Sequence, residues 1–229
     1  MKFSKGLIAT LKNFATINTG INLTAGTFIM TRAANGATYG EVNLQPEDTI
    51  DFDVAIYDLN AFLSILSLSG EDSEVSVKGA DIIIKGKRSE IIWPSCDPSA
   101  IVYPKKPIQF PPAEVEFELP AEEYNQVMKI ARGLGADTVA ITNKSGLVVI
   151  NAFNKTIDPN LEKPLSTFEV SDYDGSRDFN FVINLTNLKL QSDTYKVQLW
   201  AKDHLFAARF EGTAANYVIA VEDESSHNF

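Results

Sequence analysis

Two histidines, one cysteine and thirty carboxylates are the groups in this chain that could do acid–base, nucleophilic or metal chemistry. Asp51 and Asp53 have the spacing that puts two carboxylates on one side of a strand, as an acid–base pair would need. They alternate with Phe52 and Val54, so the spacing predicts the wet face of a half-buried strand. Asp172-Tyr173-Asp174-Gly175 begins like a calcium loop, but Arg177 and Ile183 stand where that loop requires glycine and glutamate. Gly86-Lys87 lacks the upstream glycine and the following Ser or Thr of a phosphate loop. Gly133-Leu134-Gly135 has no third glycine and follows a helical pattern, which reads as a helix stop. His204 falls in a turn beside Lys202-Asp203 and His227 in an acidic tail, neither next to a nucleophile. Cys96 reads as a passive thiol, and with two histidines it does not make a Cys/His zinc site. No catalytic, metal or cofactor site assembles, and the expectation is a protein that is not an enzyme.

What remains is the placement of positive charge. The first 40 residues hold Lys2, Lys5, Lys12 and Arg32 and no acid. Residues 5–17 put Leu7, Ile8, Leu11, Phe14 and Ala15 on one helical face, with Lys5 and Lys12, seven apart, nearly opposite. Residues 122–134 do the same with Tyr124, Val127, Met128, Ile130 and Ala131, leaving Lys129 and Arg132 outward. Pro120, Glu122 and Glu123 suit the start of that helix and Gly133 its end. Solvated faces would explain either helix alone. Two equivalent basic faces in a chain of 20 basic and 30 acidic residues, net −10, argue for helices that present charge to a polyanion.

The elements that would carry these helices come in two similar sets. Residues 94–112 hold six of the ten prolines and predict an extended connector, dividing the chain into domains 1–112 and 113–229. Their net charges are −2 and −8. In the first half a hairpin over 26–44 turns at Asn35-Gly36, a type I′ signal. A strand then runs to Tyr57 and gives way to helical spacing over 59–68, followed by a hairpin over 74–85 and a strand at 89–93. In the second half a hairpin over 138–153 turns at residues 144–146. Residues 179–190 pass from strand to a short helix ending at Lys189, and a hairpin over 195–210 and a strand at 216–221 follow. Both halves read helix, strands, helix, strands, an α+β fold of two β-rich domains with paired helices.

Composition sets outer limits. Hydrophobic residues at 45% and charged residues at 22% exclude wholesale disorder. The acidic balance excludes a uniformly basic nucleic-acid-binding protein, and one cysteine excludes a disulfide framework. No apolar run approaches the ~18 residues of a membrane span, and Lys12 interrupts the short run at residues 7–11, so no signal peptide and no membrane partner are expected.

Several strings spread over the chain resemble the sliding clamps of T-even-type bacteriophages, the DNA polymerase processivity factors. They are LKNFATIN (11–18), FIMTRAANG (28–36), DFDVAIYDLNAFLSILSL (51–68), KPIQFP (106–111), RGLGADTVAITNKSG (132–146), DYDGSRDFNFVIN (172–184) and YVIAVE (217–222). The resemblance implies a DNA-clamp fold in which two similar domains per chain and three chains close a pseudo-sixfold homotrimeric ring. It also implies a ring that encircles duplex DNA without reading sequence, tethers the replicative polymerase, is opened by a clamp loader and needs no cofactor. Lys5, Lys12, Lys129, Arg132 and Lys189 would face DNA; helix 59–68, without Lys or Arg, departs from the pattern. The polymerase C-terminal tail would dock against Ala34, Tyr39, Tyr103, Ile108, Ile219 and Val221. The subunit seam would join residues 89–93, with Ile91 and Ile92, to residues 167–170 of the next chain, with Phe168 and Val170. The implied location is the cytoplasm of an infected bacterium. The alternative is a structural β-rich phage or host assembly protein with no DNA role. A small hydrolase is disfavoured by the isolated histidines.

Overall fold

The computed structural model describes residues 1–70 and 72–229, which form two units, Met1–Ile108 and Gln109–Phe229. In the first, helix α1 (Lys5–Ile17) begins where the Ser4 hydroxyl accepts the Leu7 N–H at 3.0 Å. It ends at Asn18 and buries Leu7, Leu11, Phe14, Ala15 and Ile17, the expected face. Strand β1 (Ile21–Leu23) follows, then β2 (Phe28–Arg32), β3 (Thr38–Asn43) and β4 (Val54–Ile56). Asp58 caps helix α2 (Leu59–Ser69), which buries Leu59, Phe62, Leu63 and Leu66. A three-stranded antiparallel sheet of β5 (Glu74–Lys78), β6 (Asp81–Lys85) and β7 (Glu90–Pro94) completes the unit. Met1 and Lys2 run along the outer edge of β5. Phe62 joins helix to sheet, with the Phe3 and Trp93 rings at 6.4 and 6.0 Å.

The second unit repeats this order. Strand β8 (Val115–Leu119) precedes helix α3 (Ala121–Gly133), which buries Tyr124, Val127, Met128 and Ala131. Strands β9 (Thr138–Lys144), β10 (Leu147–Phe153), β11 (Ser166–Asp172) and β12 (Phe179–Asn184) follow, then β13 (Tyr195–Lys202), β14 (Leu205–Glu211), β15 (Asn216–Ala220) and β16 (Ser226–His227). One antiparallel sheet runs β11-β10-β9-β12-β16; β8, β13, β14 and β15 are successive neighbours in another. Tyr195, fully buried, holds the rings of Tyr124, Phe210 and Tyr217 within 5.6–6.2 Å, and its hydroxyl donates to the Gln191 carbonyl.

The register corrects the repeat in one respect. β1 pairs with β4 as β9 pairs with β12, so the counterpart of hairpin β2–β3 is β10–β11. The three residues of β1 are too few to show a period, and the loop over 154–165 separates β11 from β10. Three further differences concern local geometry. The Asn35-Gly36 turn is not type I′: Gly36 N–H bonds the Ala33 carbonyl and only Gly36 has positive φ. The type I′ signature is found instead at Ser145-Gly146, with φ of 52° and 80°. Asp51 and Asp53 lie outside any strand; Asp53 accepts the Ala25 N–H at 2.7 Å. After β12 the chain makes one 3-10 turn (Leu185–Asn187), capped by Asn184, and not an α-helix. Thr186 and Asn187 are weak helix formers, and the short run before β13 cannot offset the cost of nucleation.

Candidate nucleic-acid interface and partner surface

Lys5 and Lys12 are exposed on α1, and α1 contains no carboxylate. Lys5 in the first turn works against the positive end of the helix dipole. Asp48 offsets it there: its carboxylate accepts the Ser4 N–H at 3.1 Å and the Ser4 hydroxyl at 2.6 Å. Lys2, Lys5 and Lys12 line one groove of about 760 Å³ beside α2, where Lys2 pairs with Asp72 at 3.2 Å. The outward side of α2 is neutral, with Asn60, Ser64, Ser67 and Leu68 exposed. In the second unit Lys129 and Arg132 are exposed on α3, Arg132 in the last turn, where a cation suits the dipole. Lys189 follows the 3-10 turn and is half-buried. Its segment is held to α3: Asn125 donates to Ser192 at 2.7 Å, and the Tyr124 hydroxyl bonds the Leu190 backbone. Burial pushes Tyr124 up to about 12, opposed by Arg132 and by that backbone bond. The sheets and caps thus hold four of the five residues exposed on two helices, and the fifth beside one of them.

The residues expected to take a partner peptide divide between buried and open. In the first unit Tyr39 is 2% exposed, its hydroxyl 2.7 Å from Glu41 and bonded to the backbone of Ile108. Burial, then Glu41, raise its pKa far above the ordinary tyrosine value. Ala34 is exposed on the hairpin turn, Ile108 is 43% exposed, and Tyr103 is half-buried beneath the Lys105 ammonium, 3.8 Å from its ring centroid. The connector is pinned. Asn18 donates to the carbonyls of Arg32 and Val102 at 2.8 and 2.6 Å, Cys96 N–H bonds the Ala55 carbonyl, and a Cβ on Gly20 would lie 2.6 Å from Ile101. Sequence reasoning missed Asn18, whose signal was its place just past a helix end. In the second unit Ile219 is fully buried and Val221 half-buried. Burial raises the Cys96 thiol, away from a reactive thiolate.

The seam residues lie on sheet margins. β7 is the last strand of its sheet, with Ile91 half-buried and Ile92 61% exposed. β11 is the last strand of its own, with Phe168 and Val170 half-buried.

Residues 3–103 match the family model for the DNA polymerase processivity factor and residues 116–223 that for the gp45 sliding clamp, C terminal. The chain is 54% identical to the sliding clamp of Escherichia phage RB69 and 53% to that of Enterobacteria phage T4, over the full length of both chains in each case. The chain belongs to the sliding-clamp family. The clamp fold extends further: a solved structure of the C-terminal region of FEN-1 bound to A. fulgidus PCNA aligns at a TM-score of 0.63 and 14% identity, covering 94% of each chain. The clamp is a DNA polymerase processivity factor and not an enzyme, and an assembly protein without a DNA role is not favoured. No helix among the described residues is long and apolar enough to cross a membrane.

Proposed function

We propose that three copies of the clamp close head to tail into a ring around duplex DNA, in the cytoplasm of an infected bacterium. A clamp loader opens the ring, and the C-terminal tail of the polymerase binds it. The observation that carries this reading is the pair of basic helices in an acidic chain: α1 carries Lys5 and Lys12 and no Asp or Glu of its own, and α3 turns Lys129 and Arg132 outward. With Lys189 these residues would face phosphate, and the neutral side of α2 would face it without charge. Each unit also ends a sheet on an open strand, β7 in one and β11 in the other. Two unlike edges on one chain are what a heterologous contact requires, and rotation by a third of a turn closes it. A tail peptide would use the exposed Ala34 and Ile108 around the Tyr39–Ile108 bond, with Tyr103 beside them. The A. fulgidus clamp, bound to the C-terminal region of another protein, supports this mode of partnering.

The test is retention. Clamp loaded onto nicked circular plasmid is expected to stay through a high-salt wash and to leave once the plasmid is cut. Equal retention on circular DNA and on linear DNA with free ends would overturn encirclement.

A further inference from the structure

The last four residues add a strand where nothing in the clamp reading requires one. Strand β16 lies on the outer edge of β12 through two residue pairs, Phe179 with His227 and Asn180 with Ser226. The other ties are single hydrogen bonds. Asp178 N–H donates to Asn228 Oδ1 at 2.9 Å, Asn228 N–H to the Asp178 carbonyl at 3.1 Å, and His227 Nε2 lies 3.1 Å from the Asp203 carbonyl; just before the strand, Val182 N–H donates to the Ser225 hydroxyl at 2.9 Å. The His227 ring packs on Phe206 at 5.2 Å, and the terminal Phe229 ring lies 6.3 Å from Phe179 and 5.1 Å from His227. Cavities of about 620 and 410 Å³ flank this strand, each lined by Ser226 and His227. Just upstream the chain is anchored: Glu224 pairs with Lys155 at 2.6 Å and Glu222 N–H bonds the Val182 carbonyl. Release of the end is therefore confined to residues 226–229.

We infer that these four residues are a displaceable strand, and that the strip beneath them is a docking groove for an extended peptide ending in an aromatic residue. The edge of β12 supplies the backbone donors and acceptors that an added strand uses, and Phe179 and Phe206 supply the apolar seat. The occupant in the structure defines the ligand: a small polar residue at the position of Ser226, a flat ring at His227, and a second aromatic ring at the end. Removing it takes the Asn228 partner from the Asp178 amide and the paired strand from Phe179 and Asn180, so the vacated edge favours a replacement strand. Residues 226–229 are thus a competitor in place, and a partner gains access by displacing them and not by opening the sheet.

The test uses the full chain, a chain ending at Ser225, full-length Phe229→Ala, and a fluorescent peptide of residues 222–229. The shortened chain is expected to bind the peptide at least tenfold more tightly than the full chain, with Phe229→Ala between them. In the shortened chain the Asp178 amide should exchange hydrogen faster, and peptide should restore its protection. A peptide ending in alanine should bind at least tenfold more weakly. Equal affinity for full and shortened chains, or binding that leaves the Asp178 amide unprotected, overturns the proposal. If the shortened chain fails to fold by circular dichroism, Phe229→Ala decides: affinity no better than the full chain's overturns it.

Discussion

Asp193 illustrates how single residues hold this scaffold. Its carboxylate accepts N–H bonds from Thr213 and Ala214 at 2.7 and 2.8 Å and takes the Thr213 hydroxyl at 2.9 Å. Burial alone would raise its pKa, but the bonds from Ala214, Thr213 and Thr194 outweigh it and leave the pKa lowered. A lowered folded pKa means that the stabilisation is complete above the unfolded value of about 3.9 and is lost as pH falls through the lower folded value. Asp193→Ala is expected to cost about 1–2 kcal/mol at pH 7, scaled down for a half-exposed group. Urea midpoints at pH 7 and pH 3 check this: the gap from wild type should narrow at the lower pH, and a gap independent of pH would refute the linkage. Tyr39, named for partner docking by the family pattern, is core in this fold, and the open apolar surface on its unit is that of Ile108.

At the scale of elements, edges matter more than faces. β5 has its outer edge covered by Met1 and Lys2, and β12 has its own covered by β16. β7 and β11 end their sheets with no further paired strand among the described residues, as β2 and β8 do. Exposed strand edges invite pairing, and proteins normally blunt them. Leaving these two open is consistent with the proposed seam. Ile92→Lys places a charge on an exposed position of β7, at little cost to the isolated fold because the side chain is already in water. It is expected to shift sedimentation at micromolar concentration from a trimer toward lighter species with unchanged thermal unfolding of the single chain. A trimer that persists unaltered would place the seam elsewhere.

For the whole molecule the question is how a net charge of −10 coexists with DNA. Every phosphate neutralised releases counterions and contributes about −0.9 to the logarithmic salt slope. Were all five named basic residues of three subunits to grip phosphate together, the slope would be roughly −13, a grip incompatible with sliding. The expectation is a shallow slope for the loaded clamp, with a few contacts at a time across water. Lys12→Glu combined with Lys129→Glu should impair loading or processive synthesis while leaving assembly intact, since both side chains are exposed on helices whose opposite faces make the core. Normal loader-dependent synthesis by the double variant would show that these helices do not face DNA.

The helices, the hairpins and the charge pattern are legible in the order of residues alone, because each rests on contacts within a dozen positions. The 3.6-residue period of 5–17 and 122–134 and the acid-free first 40 residues can be read without neighbours. The strings of the clamp family are legible for the same reason, since they are local. Folding in three dimensions settles what depends on partners far along the chain. It matches β1 to β9 through their pairing with β4 and β12, leaves β7 and β11 at sheet margins, buries Tyr39 and bonds it to Ile108, and seats the last four residues on β12. A three-residue strand has too short a period to register, and an edge is defined by the absence of a neighbour, which no local pattern records. The helix expected to end at Lys189 is missing on the same ground. Its apolar spacing is right, but the residues available before β13 allow one 3-10 turn, and side-chain bonds to α3 fix the Lys189 segment instead.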